Sequence, residues 1–312
     1  MSQELEQSIV VGSLNDIFKD AETAANSNEA VMVLGETGAG KEILAQYIHA
    51  TSRRRTKPFV SVNCAAIPAS LFESELFGYQ KGAFTGALKD KKGLLEEGET
   101  GTVFLDEIGE LSLEAQAKLL RVIETRELLP VGSTKLRRID VRFITATNSD
   151  IKTRVERGEF RRDLYYRLSI FLYTIPPLRQ RSEDIPALVS HFLAQANREI
   201  TVSPKVMELL FCYSWPGNVR ELKNVITHAL VKCQGSNLEI EHLPAYLVES
   251  CPRLQVLKED ALKKKVECFE ARLLEETMKL FPDPKEAAEQ LGLELRTLYR
   301  KLKKYRLAKR AG

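Results

Sequence analysis

The chain has 312 residues, 44% of them apolar and 29% charged, with a formal net charge of +3. A chain of that length holds about two domains, each able to bury its own core, and the ordinary composition excludes low-complexity, disordered and fibrous classes. No apolar run approaches the ~18 residues that a membrane span needs, and the polar, acidic start is not a signal peptide, so a cytoplasmic protein without a membrane partner is expected.

Five scattered cysteines, Cys64, Cys212, Cys233, Cys251 and Cys268, show neither CxxC nor Cys/His spacing, which argues against a disulfide framework or a zinc site. The charge is uneven. From Pro252 onward there are 16 Lys+Arg against 10 Asp+Glu, a surplus of +6 that leaves −3 for residues 1–251. Between Glu294 and Arg310 eight bases face one acid, the footprint of a nucleic-acid surface or of a solvated helix face.

Residues 29–148 alternate short apolar runs with helical patterns, the signature of an α/β sheet with helices on its faces. The predicted strands are Ala30–Leu34, Phe59–Val62, Thr102–Leu105 and Arg142–Ala146. The predicted helices are Lys41–Thr51, Ser70–Leu76, Leu113–Glu124 and Ile151–Glu156. After Pro176 and Pro177 the pattern is entirely helical, with Glu183–Glu199, Pro204–Cys212 and Asn218–Lys232 forming a small lid. Leu238–Leu257, with Pro244 and Pro252, reads as a looser connection. Leu262, Val266, Phe269 and Leu273 then share one helical face, and Pro282 and Pro284 break the chain before short helices at Lys285–Leu291 and Leu295–Lys304.

The first predicted strand runs into Gly35, Glu36, Thr37, Gly38, Ala39, Gly40, Lys41 and Glu42, and a helix follows at once. This is the GxxxxGK phosphate loop in its strand–loop–helix context. Its glycines let backbone N–H groups converge on nucleotide phosphates, the helix N-terminus adds positive potential, and Lys41 reaches the β- and γ-phosphates. Glu42 stands where the general motif has a Mg²⁺-binding hydroxyl, so metal binding shifts toward Asp106, at the end of the third strand, with Glu42 as a second candidate. Glu107, next to Asp106, is placed to orient or deprotonate the attacking water. Asn148, closing the fourth strand, suits a γ-phosphate sensor.

Gly82, Ala83, Phe84, Thr85, Gly86 and Ala87 are too small to pack a core and carry one aromatic, which reads as a flexible loop tip able to press Phe84 into a partner. In the last region Ala287, Ala288, Gly292 and Leu298 have helix-turn-helix spacing. Leu295, Leu298 and Leu302 would face inward and leave Arg296, Thr297, Tyr299, Arg300 and Lys301 toward the major groove, with Lys303, Lys304 and Arg306 near phosphates.

With these motifs the chain resembles the bacterial enhancer-binding proteins, the AAA+ activators of sigma-54 RNA polymerase, from about Ile9 to its end. Gly35–Glu42 has that family's form of the phosphate loop, Glu42 included. Gly82–Ala87 matches its sigma-54-contacting loop, and Phe104–Gly109 its second nucleotide motif. The resemblance implies an AAA+ α/β subdomain at 1–175, a helical lid at 176–248, a linker at 249–261 and a Fis-like helix-turn-helix domain at 262–312. It also implies a switch role for Asn63, pairing with Glu107, arginine fingers at Arg161 and Arg167 donated by a neighbouring subunit, and a lid sensor at Arg220.

One departure lies in the stretch Phe77-Gly-Tyr-Gln-Lys81 before the contact loop, where the family more often has His-Glu; losing that acid removes an ion-pair partner, so loop positioning is expected to differ in detail. The implied activity is ATP hydrolysis with Mg²⁺ that remodels the closed sigma-54 polymerase complex from an upstream enhancer. The implied assembly is a hexameric ring built from dimers. Because the phosphate loop begins at residue 35, control is expected from a protein in trans, unless the chain is part of a longer regulator. An AAA+ remodeller of another target is the first alternative, and a DNA-binding repressor with a vestigial core the second. The loop sequence opposes the one, and Lys41, Asp106 and Glu107 the other.

Overall fold

The computed structural model describes residues 12–148, 150–195, 199–250, 261–281 and 283–305. The chain divides into two units, Met1–Leu247 and Val248–Gly312.

The first unit is organised by a parallel five-stranded sheet. Its strands are β1 (Val31–Leu34), β2 (Phe59–Asn63), β3 (Thr102–Asp106), β6 (Arg142–Thr147) and β7 (Phe171–Thr174), in the order β2-β3-β6-β1-β7. Both faces of the sheet are covered, so β6 is buried at every position, its Arg142, Thr145 and Thr147 included. The helices α1 (Asn15–Ala25) and α2 (Lys41–Thr51) close one face through Phe18, Leu44 and Ile48. The other face is closed by α3 (Ala69–Phe77), the one-turn α4 (Leu94–Glu97), α5 (Leu113–Thr125), α6 (Ile151–Glu156) and α7 (Arg162–Leu168), with Leu76, Leu95, Leu119, Ile151 and Leu164 inward. A two-residue antiparallel pair, β4 (Glu127–Leu128) and β5 (Arg137–Arg138), projects between α5 and β6.

Four predicted strands match β1, β2, β3 and β6 to within a residue at each end. The fifth, β7, was not predicted. It is a four-residue edge strand with mixed burial, too short for period-two alternation to stand out before the two prolines.

The lid follows as α8 (Ile185–Ala194), α9 (Pro204–Cys212), α10 (Asn218–Lys232) and α11 (Ala245–Glu249). It is not entirely helical, as β8 (Thr201–Val202) pairs in parallel with β9 (Asn237–Leu238). The predicted helix from Glu183 begins as a 3-10 turn, Ser182–Asp184, and residues 196–198 lie outside the described ones. Nor is the stretch from Leu238 loose, since Leu238, Leu243 and Leu247 are buried. Its elements are two to five residues long, below the reach of a periodicity argument. Residues 251–257 of that stretch lie outside the described ones. Trp215 is fully buried and donates from Nε1 to the Leu210 carbonyl at 2.8 Å, anchoring the turn before α10.

In the second unit α12 (Ala261–Leu280), α13 (Pro284–Gln290) and α14 (Leu295–Lys304) enclose a small core of Leu274, Ala287, Ala288, Leu298 and Leu302. Asp283 caps α13 by accepting from Lys285 N at 3.0 Å. Gly292 has φ +62° in the turn between α13 and α14, where a side chain is disfavoured. Phe269 and Leu273 remain on the exposed face of α12, whereas the side chains of Leu262, Val266 and Cys268 lie outside the described ones. Among the described cysteines, Cys64 and Cys233 are buried, Cys212 is exposed, and none is paired.

Candidate functional site

The loop after β1 and the carboxyl ends of β2 and β3 open into a cleft of about 730 Å³, the edge of an open α/β sheet where ligands bind. The phosphate loop leaves β1 there. Gly40, with φ +111°, caps α2 and turns the loop into the helix, so the helix N-terminus faces the cleft. Lys41 is 6% exposed. Its Nζ donates to the carbonyls of Gly35 at 2.8 Å and Glu36 at 3.5 Å and lies 3.7 Å from Glu107 Oε1. A cation held among such acceptors is positioned for phosphate oxygens that would compete for it.

Asp106 ends β3, and its Oδ1 accepts from Glu107 N at 3.0 Å. Glu107 has a left-handed backbone, φ 54° and ψ 47°, a conformation that costs a non-glycine residue about 1 kcal/mol and is common where a side chain must be aimed. Its Oε2 accepts from Asn148 N at 3.1 Å, while Asn148 Nδ2 donates to Thr37 Oγ1 at 3.0 Å. Asn148 thus joins the phosphate loop to the acid.

The donor set fits an ATP–Mg²⁺ pair. Asp106 projects into the cleft beside Thr37 and Glu42, and Mg²⁺ needs only one or two carboxylates when phosphates complete its shell. Among the described residues no group of three or more His, Cys, Asp or Glu forms an all-protein metal site.

Two expectations need correction. Asn63 lines the cleft beside Asp106 in register, but its Oδ1 accepts from Ala65 N at 2.9 Å and so caps its own turn instead of pairing with Glu107. Glu36 belongs to the loop, yet its carboxylate points to the lid. There it accepts from both Nη atoms of Arg179 at 2.6 and 2.8 Å and from Asn218 Nδ2 at 3.1 Å. Hydrogen bonds from Arg179, then from Asn218, hold its pKa down at about 2.

Arg220, on the first turn of α10, lines the cleft. Arg161 and Arg167 bracket α7 on the surface and do not line it. Arg161 is gripped by Asp163, whose hydrogen bonds at 2.8 and 3.2 Å raise its pKa.

The Gly82–Ala87 loop stands on a stem of backbone pairing. Tyr79 and Lys91 exchange hydrogen bonds at 3.0 and 2.9 Å, and Gln80 N donates to Val131 O at 3.0 Å. The stem is thus set by backbone bonds, and the Tyr79 side chain meets the loop tip through Phe84. Instead of a loose tip, the loop is closed by Gly82 N to Ala87 O at 2.9 Å, and Phe84, 41% exposed, packs edge-on against Tyr79 at 4.9 Å. Leu88, 84% exposed, adds apolar surface that the motif does not include. Its signal was an apolar residue directly after a loop of small ones.

In the second unit Leu298 and Leu302 are buried and Leu295 partly so, as the spacing predicts, leaving Arg296, Tyr299, Arg300, Lys303 and Lys304 exposed on α14 and Thr297 partly so. Lys301 departs from expectation. It pairs with Glu270 of α12, which also accepts from Tyr305, so its charge is already met within the domain. Arg306 lies outside the described residues.

Residues not legible in the sequence are Arg179, Arg181 and Asn218, which fasten the lid to the back of the phosphate loop. Two arginines placed two apart directly after Pro176-Pro177 were the available signal.

Comparison with known proteins gives three family matches: "Sigma-54 interaction domain" at residues 10–173, "AAA+ ATPase lid domain" at 179–259, and "Bacterial regulatory protein, Fis family" at 265–305. The regulatory protein AtoC of Escherichia coli K12 is 42% identical over 94% of this chain and 66% of its own length. The DNA-binding transcriptional activator HyfR of the same organism is 42% identical over 94% of this chain and 46% of its own. The chain thus spans between 46% and 66% of these relatives. Crystal structures of NtrX from Brucella abortus align with ADP bound at a TM-score of 0.76, 32% identity, 97% of this chain and 71% of that one. With ATP bound the values are 0.74, 33%, 94% and 67%.

Proposed function

Because this chain belongs to the family of sigma-54-dependent transcriptional regulators, with a sigma-54 interaction domain, an AAA+ lid and a Fis-type DNA-binding region, we propose that it is an ATP-driven activator acting from enhancer DNA on sigma-54 RNA polymerase. The observation that carries the ATPase part is the convergence of Lys41, Asp106 and Glu107 at one cleft, with Lys41 Nζ 3.7 Å from Glu107 Oε1 and Asn148 bonded to Glu107 and Thr37 behind them. Lys41 and the α2 N-terminus bind the triphosphate, and Glu107 orients the attacking water and takes its proton. Mg²⁺, held by Asp106 with Glu42 as the second candidate, supplies charge neutralisation at the phosphates. Asn148 reports the γ-phosphate to Glu107, and Arg220 reports it to the lid.

Arg161 and Arg167 complete a neighbouring subunit's site, where a cation in trans stabilises charge on the transferring phosphoryl group. The active form is a ring, a hexamer by the family's pattern, built from dimers. Its domains are the α/β subdomain 1–175, the lid 176–248, the linker 249–261 and the helix-turn-helix domain 262–312. Its regulation is assigned to a protein in trans or to a further part of a longer regulator.

Hydrolysis moves the Phe84 loop against sigma-54 and remodels the closed complex. Replacing Thr85 by Ala leaves steady-state ATPase within about twofold, because Thr85 does not line the cleft, and abolishes activated transcription by sigma-54 polymerase. Equal loss of both would remove the contact role from Gly82–Ala87.

DNA recognition is assigned to α14, whose exposed face carries Arg296, Tyr299 and Arg300, with Thr297 and the backbone-contacting Lys304 beside them. Arg300→Ala weakens enhancer binding at fixed salt by about 1–3 kcal/mol and spares the ATPase. Unchanged affinity in a mobility-shift titration would show that another helix reads the bases.

A further inference from the structure

The lid holds the phosphate loop from behind through a run of hydrogen bonds. Thr37 O accepts from Asn218 Nδ2 at 3.1 Å, Gly38 O from Val219 N at 3.0 Å, and Ala39 O from Arg181 Nη2 at 2.6 Å. Glu36 adds its side chain, paired with Arg179 and Asn218. The approach is close, as a Cβ on Gly38 would lie 2.5 Å from Gly217 O.

A peptide is planar with its C=O and N–H on opposite sides. A donor fixed on the carbonyl of Thr37 or Ala39 therefore sets the direction of the N–H of Gly38 or Gly40, and both glycines line the cleft. Asn218 is fully buried, has a left-handed backbone at φ +53°, and uses both ends of its amide. Nδ2 donates to Glu36 and Thr37, and Oδ1 accepts from Leu178 N at 2.8 Å. It stands two residues before Arg220 on the same helical turn.

We propose that Asn218, together with the Glu36–Arg179 pair, is a positioning latch that fixes the phosphate-loop peptides and the placement of Arg220, and so couples nucleotide affinity to the position of the lid. The latch rests on the ATPase assignment made above and adds to it side chains that face away from the cleft. Its loss acts on binding more than on chemistry, because Glu107 and Asp106 hang from β3 and not from the lid.

The test is a pair of substitutions. Asn218→Asp places a second carboxylate against Glu36 and removes the donor to Thr37 O, and adding Glu36→Gln restores a donor–acceptor pair between positions 36 and 218 alone. Titration with a fluorescent ATP analogue and steady-state kinetics give Kd, KM and kcat. The single variant raises Kd and KM by ~10-fold or more, as expected for a broken hydrogen bond to a charged group, with a smaller change in kcat. The double variant binds several-fold more tightly than the single one, the coupling expected of residues in contact, but stays weaker than the wild type because Thr37 O still lacks its donor.

Asn218→Gly keeps the left-handed backbone and removes only the amide. It raises Kd by several-fold with thermal unfolding still cooperative, and it serves if the aspartate variant does not fold. A folded glycine variant of wild-type affinity, or a double variant no tighter than the single, overturns the latch alone. A wild-type chain that binds no ATP overturns the nucleotide assignment itself.

Discussion

Glu107→Gln keeps ATP affinity near that of the wild type and lowers turnover by ~10²–10⁴-fold. The amide has the same shape and still accepts from Asn148 N, the contact now made by Oε2 at 3.1 Å. What it cannot do is accept a proton from water. It also releases Lys41 from the carboxylate 3.7 Å away, which leaves that ammonium wholly to the phosphates, so binding is not weakened by the exchange. Nucleotide titration and phosphate release on the same preparation measure the two quantities. Turnover at the wild-type rate would take Glu107 out of the mechanism and leave its left-handed backbone without a functional reason.

Arg167→Ala, and separately Arg161→Ala, lowers ATPase by ~10³-fold or more, the range of a catalytic arginine supplied in trans. Neither residue lines the cleft of its own chain, and both sit on the exposed surface around α7. An equimolar mixture of Glu107→Gln and Arg167→Ala chains regains a measurable fraction of activity. In some interfaces the intact Glu107 of the arginine variant meets the intact Arg167 of the glutamate variant. Arginines acting within their own chain would give no such recovery. Specific activity also rises with protein concentration, because the site is shared.

How much was legible depended on whether a feature is local. Gly35–Lys41 announces its loop because the glycine positions and the flanking strand and helix are adjacent in sequence. Asp106-Glu107 at the end of an apolar run is equally local. The α14 face followed from the spacing of Leu295, Leu298 and Leu302. Contacts between distant segments did not show. Glu36 meets Arg179 and Asn218 across more than a hundred residues, and nothing near Glu36 says that its carboxylate turns away from the nucleotide. Lys301 meets Glu270 across the small domain in the same way. Short elements were the other blind spot. The edge strand β7 and the two-residue strands β8 and β9 are set by pairing partners and not by a periodicity that their length could display.

The central claim is that ATP hydrolysis in this cleft opens sigma-54 polymerase promoters. Its most direct measurement is permanganate footprinting of promoter melting, with purified chain, sigma-54 polymerase and a template carrying the enhancer. The expected result is single-stranded thymines with ATP, none with a non-hydrolysable analogue, and none with the Glu107→Gln chain. Melting that proceeds without hydrolysis, or a chain that hydrolyses ATP in the same tube while the promoter stays closed, would contradict it.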